Sequence, residues 1–338
     1  MNKRCFIIAE AGVNHNGSLP MALDLVDAAA DSGADAVKFQ TFRAEDLVTE
    51  DAPKAEYQKR ATGEQQSQFQ MLKDLELDWP AFETIAHRCR ERGILFMSTP
   101  FDEGSADMLE RLGMGVFKIP SGELTNHPLV RHVAAKGKPV IQSTGMATLR
   151  EVEEAVAVIR STGNTDFQLL HCVSDYPADP KTVNLRAMQT MRERFQVPVG
   201  LSDHTLGTHI PIAAVAMGAS CIEKHFTLDK SLPGPDHQAS LDTAELARMV
   251  EQIRDVESAF GNGIKAPTEA EILTASVARR SVVAARDLPA GHRLAPGDLA
   301  LRRPGTGIPP SNLPMLLGKK VVRAVPRLSL LALEDLED

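Results

Sequence analysis

Aromatic residues are scarce in this sequence. They make up 4% of 338 residues, with a single tryptophan and two tyrosines. The interior must therefore be aliphatic, and 43% apolar residues are enough to fill a sizeable core. Cysteine is scarce too. Cys5, Cys89, Cys172 and Cys221 form no CxxC pair and stand at irregular spacing between apolar or helical neighbours. They read as buried free thiols, which suits a reducing cytoplasm. Positive charge is in deficit, with a formal net charge of −8. An acidic chain gets no general electrostatic help in binding nucleic acid or acidic membranes, so neither is an expected partner. A phosphorylated substrate would need a local cluster of Lys, Arg and backbone N–H groups. No apolar run reaches the roughly 18 residues of a membrane span. The short apolar run after the first basic residues ends at Glu10, too early for a signal peptide.

What is present is a rhythm. Apolar runs at 5–9, 36–39, 94–98, 116–119, 140–143, 167–171, 197–201 and 221–224 read as buried strands. Helical patterns at 20–32, 79–92, 105–112, 128–136, 149–161, 185–195, 209–217 and 243–260 lie between and after them. Gly33, Gly93, Gly113, Gly137 and Gly218 follow helices, where a left-handed residue ends a helix at no steric cost. Eight strands alternating with eight helices predict an α/β fold, a (β/α)8 barrel. A doubly wound open sheet would normally carry a nucleotide fingerprint after the first strand, and none is there. Residues 43–78 break the rhythm. They are polar and charged, with a short helix expected over 65–75, and read as an extended loop at the barrel mouth.

After Phe260 the texture changes to short β-like runs and frequent Pro-Gly turns. The expected organisation is a barrel over 1–262, a linker over 263–280 and a small β-rich domain over 281–338. So short a unit makes a marginal core alone, so it is expected to pack on its own barrel or on that of a second subunit.

In a barrel, function collects at the C-terminal ends of the strands. Reading those ends in order gives Glu10, then Lys38 and Gln40, Thr99, Lys118 and Ser121, Ser143 and Thr144. Ser174 and Tyr176, His204, Glu223-Lys224-His225 and Asp236 follow. Lys38 and Lys118 interrupt apolar strands. A buried unpaired ammonium is costly, so each should face an anion, either a ligand or an internal carboxylate. Ser121, Ser143 and Thr144 with Gly122 and Gly145 offer hydroxyls and open backbone N–H groups for phosphate and carboxylate. His204 and His225 end adjacent strands and suit a loosely held divalent ion with open positions.

The segments IIAEAGVNHNG (7–17), ADAVKFQTF (34–42), FMSTPFD (96–102), FKIPSGELTN (117–126), IQSTGM (141–146), LLHCVSDYPADP (169–180), VGLSDHTLG (199–207), IEKHFTLDKSLPGPDH (222–237) and LRRPGTGI (301–308) occur in this order. Together they resemble the sialic acid synthases and their relatives that make legionaminic acid, over nearly the full length. The resemblance implies a barrel followed by an antifreeze-like SAF domain. It also implies condensation of phosphoenolpyruvate with the open-chain aldehyde of an N-acetylated amino sugar, with Mn²⁺, or Mg²⁺ or Co²⁺, as the metal. His204 and His225 resemble the metal ligands. Lys38, Thr99, Lys118, Ser121 and Ser143 resemble the phosphoenolpyruvate contacts, Gln40, Tyr176 and Asp236 the sugar contacts, and Glu10 the catalytic carboxylate. Arg303 resembles an arginine offered to the site of the other subunit, which implies a domain-swapped homodimer. The expected reaction is N-acetylmannosamine to N-acetylneuraminate. The alternative is N,N'-diacetyllegionaminate from 2,4-diacetamido-2,4,6-trideoxymannose, because Ser174 departs from the pattern of one N-acetylneuraminate group and the AEYQKR and QMLKDLEL stretches look more like the legionaminic branch.

Overall fold

The computed structural model of the chain describes residues 4–63 and 65–338. These divide into one unit that ends at Phe260 and a second that spans Gly261–Asp338. The first holds parallel strands β1 (Phe6–Gly12), β2 (Ala36–Thr41), β3 (Leu95–Pro100), β4 (Phe117–Ile119), β5 (Val140–Ser143), β6 (Phe167–Cys172), β7 (Val199–Asp203) and β8 (Cys221–His225). Hydrogen-bonded neighbours run β3-β2-β1-β8-β7-β6-β5-β4. The two ends of that order, β3 and β4, adjoin and bring the sheet round into a barrel.

Helices α1 (Leu19–Asp31), α5 (Trp79–Arg92), α6 (Glu103–Arg111), α7 (His127–Ala135), α8 (Leu149–Ser161), α9 (Ala187–Phe195), α10 (His209–Ala216) and α11 (Thr243–Ala259) follow the eight strands in turn. Their starts are written in the sequence. Ser18, Asp78, Asp102, Thr148 and Asp242 each accept a hydrogen bond from the first turn of the following helix.

The strands alternate strictly. Ile7, Val37, Phe96, Phe117, Leu169, Val199 and Ile222 belong to the large core shared with the helices. Ile8, Ala36, Met97, Ile141, Leu170 and Cys221 form a separate apolar cluster inside the barrel. Gly200 completes that inner layer because nothing larger fits. A Cβ there would stand 2.2 Å from the Cys221 carbonyl oxygen. With a period of two, the next inward residues along seven of the strands are Glu10, Lys38, Thr99, Ser143, Cys172, Ser202 and Glu223. An apolar floor thus carries a polar layer directly above it.

The stretch expected to be an open loop folds into three short helices, α2 (Ala44–Leu47), α3 (Glu56–Thr62) and α4 (Gln68–Leu75). The last is shorter at its start than expected, because Ser67 caps it through the Gln70 N–H. Val13, Phe42, Met71 and Leu75 form a small apolar cluster under this insertion, with Leu47, Leu72 and Phe101 against it.

The second unit begins with a helix, α12 (Glu269–Ala278), inside the stretch read as a linker. Thr268 caps it in a reciprocal box with Glu271. Then come the antiparallel pairs β9 (Ser281–Ala284) with β10 (Leu299–Arg302) and β11 (Lys320–Val321) with β12 (Leu336–Glu337).

The two pairs are copies of one pattern. Asp298 accepts from the Ala295 N–H (2.9 Å) and from Arg286 Nε (2.7 Å). At the same spacing Asp335 accepts from the Ala332 N–H (3.2 Å) and from Arg323 Nε. Leu288 and Val325 exchange backbone hydrogen bonds across the centre (both 2.9 Å). Gly291 (φ 83°) in the first copy corresponds to Leu328 (φ 65°) in the second, so one turn keeps its left-handed shape without glycine. The duplication gives this small unit a closed core around Val282, Leu288, Leu316, Val321 and Leu331.

Hydrogen bonds and charge from His292 and Arg286 and the Ala295 N–H hold the Asp298 carboxyl down to about 2, against the opposing effect of burial. A depressed carboxylate stabilises fully above its unfolded value of about 3.8 and ceases to do so as pH falls through about 2. Asp298→Asn should therefore cost the second unit about 1–3 kcal/mol at neutral pH and flatten its stability between pH 4 and 2. Hydrogen exchange of the Val282 and Leu331 amides across that range is the check.

Candidate active site

A cavity of about 620 Å³ opens at the C-terminal ends of the strands, where Glu10, Lys38, Thr99, Lys118, Ser143, Glu223 and His225 meet. At its base lies a cluster of buried charges. Lys38 Nζ is 2.6 Å from Glu10 Oε2 and 3.7 Å from Glu223 Oε2, and it donates to Thr99 Oγ1 at 2.8 Å. Lys118 Nζ is 3.3 Å from Glu223 Oε1, which also accepts from Ser202 Oγ at 2.8 Å. The anions facing the two lysines are thus the chain's own carboxylates.

The two carboxylates differ in character. Burial works against ionisation of Glu223, but Lys118 and Lys38 outweigh it and hold the group below the usual carboxylate range. Glu10 goes the other way. Burial raises it, the Glu223 charge adds to the rise, and Lys38 only partly offsets it. Two carboxyls pushed apart by their surroundings divide the roles, with Glu223 a fixed anion and Glu10 the group able to hold or release a proton. Gln40 Nε2 donates to Glu10 Oε1 at 3.4 Å.

Around this base stand the candidate phosphate and carboxylate contacts. Ser121 Oγ accepts from the Gly145 N–H at 2.9 Å. The loop is so close that a Cβ on Gly145 would lie 2.3 Å from Ser174 Oγ and 2.8 Å from Ser121 Oγ, so a larger residue would displace both hydroxyls. Ser143 Oγ is buried and has no hydrogen-bond partner in the protein. Thr144 is committed to the strand, with its hydroxyl on the Leu170 carbonyl at 2.9 Å.

His204 and His225 stand with ring centroids 5.4 Å apart. His204 Nδ1 donates to the Val173 carbonyl at 2.7 Å, which leaves Nε2 as the nitrogen open to a ligand. His225 Nδ1 is buried without a hydrogen bond, 3.8 Å from Asp236 Oδ2. Burial, His204 and Lys38 hold His225 far below its ordinary value, hence neutral. Two adjacent imidazoles, one of them with an orphaned nitrogen, fit a divalent ion. Among the described residues no group of three or more His, Cys, Asp and Glu side chains gathers into a metal cage. Water and substrate would supply the remaining ligands. Tyr176 lies against His204 at 4.0 Å and burial keeps it a neutral phenol. Asp236 lines the same side, its carboxyl pushed up to about 6 by burial.

The strand-end pattern therefore brings Glu10, Lys38, Gln40, Thr99, Lys118, Ser121, Ser143, Ser174, Tyr176, His204, His225 and Asp236 to one cavity. Arg303 belongs to the second unit, where it is exposed. Asn14 serves the framework, bonding the Phe226 carbonyl (2.8 Å) and Ser240 Oγ (3.0 Å). Lys224 points out of the barrel to Asp203, 2.5 Å away. Glu223, which the sequence reading names only as a strand-end neighbour, proves central. Its signal is the period of two, since it shares a face with Cys221 below and His225 above. All four cysteines are free and buried, and Cys172 lines the cavity with Sγ 3.8 Å from His204 Nδ1.

A buried hydroxyl without a partner gives the fold nothing, so Ser143 separates binding from stability. Ser143→Ala should leave the unfolding free energy unchanged within about 1 kcal/mol or raise it. Phosphoenolpyruvate affinity should fall about tenfold, measured by calorimetric titration.

Residues 25–265 match the NeuB family and residues 279–337 the SAF domain. The chain is 52% identical to the N,N'-diacetyllegionaminic acid synthase of Legionella pneumophila, over 94% of this chain and 90% of that one. It is 47% identical to the Campylobacter jejuni enzyme of the same name, over 94% and 96%. Among solved structures it is similar to the N-acetylneuraminic acid (sialic acid) synthetase of Leptospira borgpetersenii. That similarity has a TM-score of 0.71 and 37% identity, and covers 81% of this chain and 90% of that one. The chain belongs to the NeuB family of carbon–carbon bond-forming synthases, with a barrel followed by an SAF domain.

Proposed function

We propose that this enzyme condenses phosphoenolpyruvate with 2,4-diacetamido-2,4,6-trideoxymannose to give N,N'-diacetyllegionaminate and phosphate. The residues alone point first to N-acetylneuraminate, and two observations reverse that order. The relatives from Legionella pneumophila and Campylobacter jejuni are named for this product. The observation that carries the reading is physical. Part of the cavity wall is apolar, built by Val13, Phe42, Leu47, Met71, Leu75 and Phe101. Such a wall matches the C6 methyl and second acetamido methyl of the trideoxy sugar. N-acetylmannosamine would set two hydroxyls against it.

The residues divide the work by chemistry. Lys38 and Lys118, with Ser121 and Ser143, receive the phosphate and carboxylate of phosphoenolpyruvate. Tyr176, Gln40 and Asp236 orient the sugar so that its aldehyde carbon meets the enol carbon. Bond formation leaves positive charge at C2 of the former enol. Glu10 lies beside that centre in this reading, where it holds the attacking water and takes its proton. The tetrahedral adduct then expels phosphate to leave the 2-keto acid. A divalent ion on His204 and His225, most simply Mn²⁺, with Mg²⁺ or Co²⁺ as alternatives, would act as a Lewis acid toward the aldehyde.

Arg303 completes the sugar site from a second copy of the chain in this reading, making the enzyme a domain-swapped homodimer. The four buried free thiols suit a cytoplasmic setting. Among the described residues, no helix is long and apolar enough to cross a membrane.

Phosphate release with Mn²⁺ and each sugar in parallel tests the reading. A kcat/KM about 10- to 100-fold higher for the diacetamido sugar is expected, the range that a hydrophobic pocket achieves against added hydroxyls. Equal or better turnover of N-acetylmannosamine would sink it. In the same assay, Glu10→Gln and Arg303→Ala proteins should be nearly inactive alone. Co-expressed, they should regain roughly a quarter of wild-type activity if the subunits share sites, and none if they do not.

A further inference from the structure

The insertion beside the cavity carries a polar residue that the strand-end pattern does not reach. Gln58 lies in the first turn of α3, buried, and lines the cavity. Its Oε1 accepts from the Ala55 N–H at 2.9 Å and from Gln68 Nε2 at 3.4 Å. Both partners are donors, so the amide has one workable orientation. Turned over, it would set its NH₂ against two N–H groups. The NH₂ therefore faces away from those N–H groups.

Tyr57 is itself held in place. Its ring lies 4.7 Å from that of Tyr176, which lies 4.0 Å from His204. The amide NH₂ carries two hydrogens, so a donor remains for a ligand in the cavity. The site thus has a fixed donor next to an aromatic stack that begins at a candidate metal ligand, in the same cavity as the apolar side chains of Met71 and Leu75.

We propose that Gln58 is a specificity-determining residue, whose Nε2 donates to the carbonyl oxygen of the sugar's second acetamido group while that group's methyl packs on Met71 and Leu75. The inference rests on the diacetamido-sugar reading above. A hydroxyl in place of the acetamido group is too short to meet the amide, and a donor left unmet in a closed pocket discriminates more strongly than an apolar wall does.

Gln58→Glu tests this, because its oxygens still serve Ala55 and Gln68 while the donor is replaced by an acceptor. KM for the diacetamido sugar should rise about 10- to 100-fold. The kcat, the KM for phosphoenolpyruvate and the kcat/KM for N-acetylmannosamine should stay within about twofold. An unchanged preference between the two sugars in the folded variant overturns the role of Gln58 and leaves the substrate reading standing. Wild-type preference for N-acetylmannosamine overturns the substrate reading and this inference with it. Should Gln58→Glu not fold, the wild-type protein can be offered the sugar with a free amine in place of the second acetamido group. A loss of the same size supports the assignment, and equal kcat/KM overturns it.

Discussion

Two lysines inside a barrel walled with aliphatic side chains need a fixed counter-charge, and Glu223 is that charge. It stands 3.3 Å from Lys118 and 3.7 Å from Lys38, on a strand next to the one that carries Glu10. Buried charges in a medium of low polarizability are tolerable only when paired and hydrogen-bonded, and Ser202 and Thr99 complete that requirement. The fold has to deliver these side chains from β1, β2, β4 and β8 to one point. Parallel strands around a barrel do this at no extra cost, because each contributes the residue two positions above the same apolar floor. On the proposed reading, the cluster is a site already arranged for an anionic substrate, with little reorganisation left for the reaction.

The rest of the cavity follows a different logic. Its base is strand-borne. Its apolar side takes Leu47 from α2 and Met71 and Leu75 from α4, in an insertion between one strand and its barrel helix, with Val13, Phe42 and Phe101 from the ends of β1, β2 and β3. In the proposed reaction the condensation draws on the charged base and the choice of sugar on the apolar side chains, two parts of one cavity that can vary separately.

Much of this was readable from residues. The barrel strands lie within a few residues of the apolar runs, because a strand buried on both faces has to be continuously apolar and glycine has to stop the helices between. The polar lining of the cavity was legible as polar breaks at strand ends. Glu223 was not, since three consecutive polar residues, Glu223-Lys224-His225, give no sign of which face each takes until the register is known. The helix α2 escaped because its Leu47 packs on the cluster of Val13, Phe42, Met71 and Leu75, contacts distant in sequence, and α3 because its buried residue is the polar Gln58. The helix α12 hid in the linker because its apolar residues, Ile272, Leu273 and Val277, are exposed and follow no buried stripe. The duplication in the second unit is carried by Asp298 and Asp335 with their arginines, too few matched residues to stand out.

Thermal unfolding of Glu223→Gln with and without phosphoenolpyruvate tests the role of the charge cluster most directly. Without substrate, loss of the shared counter-charge should cost about 3–5 kcal/mol. Phosphoenolpyruvate should then restore more stability to the variant than it adds to the wild type, because its anionic groups take the place Glu223 held. Unfolding of Glu223→Gln at the wild-type midpoint, with an equal shift on adding phosphoenolpyruvate, would contradict it.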